Sequence, residues 1–195
     1  MQEHCMADRE DDVLRRLRAG DRLAFEALFR RHAEALWRYA WARTHSRADA
    51  ADIVQDTFLR AWKSAATYAG KAAVSTWLFA IARSTAIDCA RQKQRRRREQ
   101  AAEPGIFRLV PAAPASDEGN EQRAALRKAI ADLPAAQRDV VVMCDLCDFT
   151  TRAAADALAW KETRVRVTLF RARRRLRDVL LAQGTEATRA ADEGA

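Results

Sequence analysis

The sequence predicts an all-α chain made of two small helical domains joined by a flexible linker. Three observations carry that expectation. Glycine and proline are scarce, 6 and 4 in 195 residues, which favours long helices over many turns. Apolar residues recur at helical spacing through most of the chain, and Val140 to Val142 is the one run that strand patterning could claim. Between two such patterned segments, residues 99–119 lose all periodicity. Pro104, Pro111 and Pro114 prevent a continuous helix there.

The elements follow in order. Residues 1–8 read as a disordered N-terminus, and Asp8 to Arg18 as a short helix ending near Gly20. Asp21 caps a second helix to about Thr44, with Phe25, Leu28, Phe29, Leu36 and Tyr39 close to helical spacing. Ser46 caps a third, to about Ala65, with Ile53, Val54, Phe58, Leu59 and Trp62 apolar. A loop around Tyr68 to Lys71 leads into a fourth, from about Ser75 to Arg98, whose stripe is Leu78, Ile81, Ala82, Thr85 and Cys89. Residues 9–98 thus form the first domain. The linker, residues 99–119, is acidic, yet its centre, Ile106 to Val110, is too apolar for a pure spacer. The second domain, residues 120–184, starts near Asn120. Pro134 suits the first turn of a helix running through Cys144. Thr150 caps a short helix to Leu158, a turn at Ala159 and Trp160 follows, and a long helix runs from about Lys161 to Leu181. Gly184 is placed to end it, and residues 185–195 read as a disordered tail.

Composition bounds the function. With 35 Lys and Arg against 27 Asp and Glu, the net charge is +8, which favours a polyanionic partner. The first 13 residues lack the basic and apolar regions of a signal peptide. No apolar run reaches membrane-spanning length, so no membrane insertion is expected. Cys5, Cys89, Cys144 and Cys147 have no disulfide-framework spacing, which fits a cytoplasmic setting. No GxxxxGK[ST], GxGxxG or HExxH pattern occurs, and His4, His32 and His45 stand alone. No enzyme, cofactor or metal site is therefore expected. Cys144 and Cys147, at i and i+3, offer one helix face with two thiols, but no second nearby pair completes four zinc ligands. Buried small cysteines are the simpler reading, with redox or metal sensing left as the alternative.

Arginine is concentrated in two places, Arg91 to Arg98 and Lys161 to Arg177. On the last helix, Val165, Leu169, Ala172, Leu176, Val179 and Leu180 fall on one stripe, and the arginines lie away from it. A short capped helix, a turn and a basic helix make the helix-turn-helix layout, whose second helix enters the major groove by its N-terminal residues. Glu162, Thr163, Arg164, Arg166, Val167 and Phe170 are then the base-edge candidates, and Arg171 and later arginines suit phosphates. A solvated surface helix would carry the same pattern. In the first domain, Tyr68, Trp77 and Phe79 lie near a basic tract, which suits stacking on single-stranded DNA, although aromatics at such spacing also serve as core.

At this point the chain resembles a known family. Residues 52–98, DIVQDTFLRAWKSAATYAGKAAVSTWLFAIARSTAIDCARQKQRRRR, are similar to region 2 of bacterial sigma-70 family sigma factors. Residues 133–177, LPAAQRDVVVMCDLCDFTTRAAADALAWKETRVRVTLFRARRRLR, are similar to region 4. Two such regions with a short linker resemble the extracytoplasmic-function class. The resemblance implies a factor that binds core RNA polymerase, directs promoter-specific initiation, and pairs with an anti-sigma factor. It implies that Asp52, Gln55, Asp56, Leu59 and Trp62 dock on the polymerase clamp. By the same likeness Tyr68, Lys71, Trp77, Ser84 and Arg91 bind and open the −10 element. The helix bearing Glu162, Thr163, Arg164, Arg166, Val167, Phe170 and Arg171 reads the −35 element. The acidic linker threads toward the polymerase active-site cleft.

This chain departs from the family pattern at several positions. Val74 stands where an aromatic is common and Ser84 where Asn is common; Ala154 and Ala157 replace the usual Ile, and Ala159 replaces the turn Gly. Trp160 is placed to refill the lost core volume, and Thr163 with Arg164 replaces a commoner Gly-Thr pair. The alternatives are a helix-turn-helix regulator acting without polymerase, and an interaction protein whose basic helices bind an acidic partner.

Overall fold

The computed structural model describes residues 12–68, 70, 72–102 and 121–192. The expected disordered N-terminus, Lys71, most of the linker with its apolar centre, and the last three residues lie outside the described residues.

The described chain is helical: α1 (12–18), α2 (Arg22–Thr44), α3 (Arg47–Ser64) with a 3-10 turn at Ala65–Thr67, α4 (Val74–Ala102), α5 (Glu121–Ala131), α6 (Ala135–Val141), a π-helical turn (Val142–Leu146), α7 (Thr151–Leu158) and α8 (Glu162–Asp192). Each predicted cap is made by its side chain. Asp21 accepts from the backbone N–H of Leu23 at 2.8 Å, Ser46 from that of Asp49 at 3.3 Å, and Thr150 from that of Ala153 at 3.1 Å. These short polar side chains satisfy N–H groups that a helix start leaves without partners. Gly20 adopts φ +77° after α1, a left-handed step that favours glycine.

In the first module, α2, α3 and α4 pack through Leu28, Leu36, Ile53, Phe58, Leu78 and Ala82, all buried. In the second, α6 and α7 pack on α8 through Val140, Ala154, Leu158, Val165 and Leu169, with Met143 of the π turn buried beside them. The ambiguous run Val140 to Val142 is helical and almost wholly buried. Its β-branched residues fill the second core, where helical packing overrides strand propensity.

Four boundaries differ from expectation. Pro134 caps α6 from just outside, not from its first turn. The helix through Cys144 widens into the π turn from Val142. The fourth helix continues past Arg98 to Ala102, into the expected linker. The last helix does not stop near Leu181; it runs through Gly184 to Asp192. One glycine costs a helix only about 1 kcal/mol relative to alanine, and the alanines that follow are strong helix formers.

The two modules touch. Helix α2 meets α5 and the π turn, and α4 meets α7. The Phe79 and Phe149 rings lie 4.5 Å apart across this boundary, and Cys147 Sγ donates to the Ala35 carbonyl at 3.6 Å.

Candidate nucleic-acid interface

Helix α8 separates two chemistries by face. Val165, Leu169, Ala172 and Leu176 are buried against α6 and α7. Thr163, Arg164, Arg166, Val167, Phe170 and Arg171 are exposed, and Glu162 is half-buried at the first turn. All seven predicted −35 residues therefore gather at one end of one helix. Two of them are apolar yet open to solvent, Val167 at 49% and Phe170 at 68% exposed, which a helix optimised only for solubility would avoid.

The N-terminal end of α8 is pre-arranged by its neighbours. Thr151 Oγ1 donates to Glu162 Oε1 at 2.8 Å, and Arg166 Nη2 donates to the same oxygen at 2.8 Å. These hydrogen bonds, from Thr151 first and Arg166 next, hold the Glu162 carboxyl below its ordinary range. The Arg164 guanidinium lies 4.0 Å over the Trp160 ring, a cation–π contact that restricts a long side chain. Trp160 is half-buried against the core, so it fills volume and carries Arg164 at once. Ala159 makes the turn in the left-handed conformation, φ 54°, at a cost of about 1–2 kcal/mol that glycine would not incur. Of the later arginines, Arg173 is held by Asp145 through two contacts, 2.5 and 3.2 Å, while Arg175 is exposed.

The predicted polymerase set also gathers. Asp52, Gln55, Asp56, Leu59 and Trp62 form one exposed stripe along α3, with Leu59 47% and Trp62 37% exposed. Beside it runs an apolar groove of about 600 Å3, lined by Phe25, Phe29, Trp37, Val54, Phe58 and Leu59. Sequence reasoning missed this groove. It placed Phe25 and Phe29 close to helical spacing with Leu28 and Leu36, but Phe29 is 43% exposed, and Phe25 packs edge-on to Trp62 at 5.1 Å.

The predicted −10 set is less uniform. Ser84 and Arg91 are exposed on α4, and the Ser84 hydroxyl donates to the Ile81 carbonyl at 2.8 Å. Trp77 is half-buried and stacks on Tyr68 with ring centroids 4.4 Å apart. Tyr68 itself is buried; its hydroxyl donates to the Ala72 carbonyl and its carbonyl accepts from Arg18. In this structure Tyr68 braces Trp77 and is not itself presented as a stacking surface, because its ring is buried against that of Trp77. Lys71 lies outside the described residues. Along the arginine run, Lys93 pairs with Asp49 and Arg95 with Glu99 at 2.8 Å.

The cysteines carry no gathered donor set: among the described residues no group of three or more His, Cys, Asp or Glu is placed to hold a metal ion. Burial, and next the Asp145 carboxylate, push the Cys144 thiol up to about 11. Burial likewise pushes Cys147 up to about 11. Among the described residues no helix is long and apolar enough to cross a membrane.

Comparison with known proteins finds a family match for each module. The Sigma-70 region 2 family model matches residues 28–96, and the Sigma-70 region 4 model matches residues 123–176. The chain is 34% identical over 162 residues to the ECF RNA polymerase sigma factor SigM of Mycobacterium tuberculosis, covering 83% of this chain and 80% of that one. It is 30% identical over 179 residues to the ECF RNA polymerase sigma factor SigE of Mycolicibacterium smegmatis, covering 88% and 68%. Among solved structures it is similar to the sigma factor RpoE of Bartonella quintana in complex with the anti-sigma factor NepR, with 26% identity, a TM-score of 0.64, and coverage of 80% and 96%. The fold is also shared with CnrH in complex with the cytosolic domain of CnrY, with 24% identity, a TM-score of 0.68, and coverage of 89% and 97%.

Proposed function

Because this chain belongs to the extracytoplasmic-function class of sigma-70 family sigma factors, which bind core RNA polymerase and direct it to promoters, we propose how its own residues divide that work. The exposed end of α8 reads the −35 element in the major groove. Arg164 and Arg166 are the donors for guanine, Glu162 is the acceptor for cytosine, and Val167 and Phe170 meet thymine methyl groups. Arg171 holds a phosphate. The observation that carries this reading is the clean division of α8 into a buried apolar stripe and an exposed face that still includes Phe170 at 68% exposure.

The start of α4 and the loop before it open the −10 element. Trp77 supplies the stacking ring, Tyr68 supports it, Ser84 offers a hydroxyl, and Lys71 and Arg91 hold phosphates. Unstacking a base costs a few kcal/mol, and stacking on an aromatic returns about 1–3 kcal/mol per base, so one ring offsets a substantial share. The exposed α3 stripe with Asp52, Gln55, Asp56, Leu59 and Trp62 docks on core polymerase. The family is one of transcription regulators, not enzymes, so no catalytic residue is assigned. We place the protein in the cytoplasm and assign it an anti-sigma partner, by likeness to the neighbours solved in such complexes.

Transcription in vitro with core polymerase and candidate promoters tests the reading. Promoter-specific initiation that depends on the chain is expected. Binding to duplex DNA with no affinity for core polymerase would instead leave a helix-turn-helix regulator, and binding to neither would leave an interaction protein.

A further inference from the structure

The two arginines assigned to base edges are each held from outside α8. At the end of α7 the Ala159 N–H donates to the Asp156 carbonyl at 3.2 Å, and the Trp160 N–H to the Ala155 carbonyl at 2.9 Å. With Ala159 left-handed, this pair of bonds fixes the backbone of Trp160. Its ring is half-buried against the core, and the Arg164 guanidinium lies 4.0 Å over it. Two residues on, Arg166 Nη2 donates to Glu162 Oε1 at 2.8 Å. The same oxygen accepts from Thr151 Oγ1 of α7 at 2.8 Å. Thr151 is half-buried. The hydroxyl that caps α7 is that of Thr150, so the Thr151 hydroxyl serves Glu162 and not the cap.

We infer that Thr151 and Trp160 are positioning residues that set −35 base preference without touching DNA. Trp160 aims Arg164, and Thr151, through Glu162, aims Arg166. The inference rests on the −35 reading above and deepens it. A guanidinium stacked by its face keeps its in-plane N–H fork for guanine O6 and N7. Arg166 gives one N–H to Glu162 and keeps the others for a base. Thr151 and Arg166 both use Oε1, which leaves Oε2 to accept from cytosine.

Holding an arginine changes specificity as well as affinity. A long side chain that is loose in the free protein must be ordered on binding, at a cost of about two- to tenfold in affinity. It also swings to a phosphate when the base is wrong. A held arginine escapes the ordering cost on the right base and is left with unpaired donors on a wrong one. The exposed pair of Glu162 and Arg166, one turn apart on α8, is by itself a weak restraint. Thr151 ties that pair to a second helix.

The test uses the full chain bound to core polymerase, on a promoter from which it initiates and on duplexes with each −35 base pair substituted in turn. Arg166→Ala and Arg164→Ala first mark the position that each arginine reads. Thr151→Val removes the hydroxyl and keeps the shape, and is expected to lower base preference about two- to tenfold at the Arg166 position. Thr151→Ser is expected to restore it. Trp160→Leu should act in the same way at the Arg164 position, and Trp160→Phe, which retains an aromatic face, should recover part of the loss. Melting midpoints check the fold, and Thr151→Val decides the case alone if Trp160→Leu does not fold. Wild-type preferences in Thr151→Val, or a Thr151→Ser that fails to restore them, would overturn the positioning roles. So would equal weakening on every duplex, which marks a structural or phosphate role. If Arg164→Ala and Arg166→Ala themselves weaken all sequences alike, the −35 reading fails and the positioning roles go with it.

Discussion

Two adjacent residues on α8 are expected to give opposite phenotypes when truncated to alanine. Leu169 is 6% exposed and Phe170 is 68% exposed. Burying a large apolar side chain fully stabilises by about 1.5–3 kcal/mol. Phe170 has about two thirds of that still to gain, so covering it on DNA is worth about 1–2 kcal/mol, or about 5–30-fold in affinity. In the free chain its ring already faces water, and Phe170→Ala should move the melting midpoint by less than about 2 °C. Leu169→Ala removes a packed side chain and leaves a cavity, costing about 2–5 kcal/mol. In a chain of this length that lowers the midpoint by at least about 4 °C. Scanning calorimetry and titration of a fluorescent promoter duplex measure the two quantities on the same samples. Promoter affinity unchanged within twofold for Phe170→Ala would refute the assignment of this face to DNA. A Phe170→Ala midpoint lowered as far as that of Leu169→Ala would show that the ring is structural after all.

Four further expectations are smaller in scope. Arg166→Ala should cost about 1–3 kcal/mol of promoter affinity at one −35 position; uniform weakening across sequences, with a shallower salt dependence, would make it a phosphate contact. Replacing Asp52 and Asp56 together by alanine should weaken core-polymerase binding and leave duplex binding alone, and unchanged core affinity would remove them from the interface. Cys144 and Cys147, with thiols pushed up to about 11, should alkylate at pH 7.5 roughly a hundredfold more slowly than ordinary thiols; fast modification, or zinc bound to the purified chain, would favour sensing. His32 is buried on α2, and burial first, then nearby Arg31, lowers it to about 4. Its folded value thus lies below the unfolded 6.5, so the stability it contributes is complete above pH 6.5 and is lost as pH falls toward 4, about 3 kcal/mol in all. His32→Leu should flatten the urea-stability profile across that window, and a profile unchanged by the substitution would show that His32 is not the group responsible.

What could be read from the sequence depended on the distance over which each signal acts. Caps at Asp21, Ser46 and Thr150 need only the next three residues, and all three form. The face of α8 needs only the 100° step, and the arginines stand where that step puts them. Exposure of Phe29 needed more, because helical spacing marks a stripe without marking where the neighbouring helix stops covering it. Tyr68 was misjudged for a related reason. An aromatic in a loop before a basic helix reads as available, and only the fold of that loop shows its ring covered by Trp77. The end of α8 was misplaced because glycine is a weak stop when strong helix formers follow it.

The contact of Asp139 on α6 with Tyr39 and Arg43 on α2 lay beyond reach for a different reason. Arg43 and Asp139 are 96 residues apart in the chain, and on its own helix Asp139 follows Gln137 and Arg138 in a short polar run that any surface helix could carry. Local pattern assigns such a residue to solvent. In the folded chain it is buried beside Tyr39 and Arg43 of α2 and Arg83 of α4. The same packing explains why α4 has apolar Phe79 and charged Arg83 on the side turned to α7, while Ser84 and Arg91 stay exposed. One helix thus presents one face to the other module and a different one to solvent.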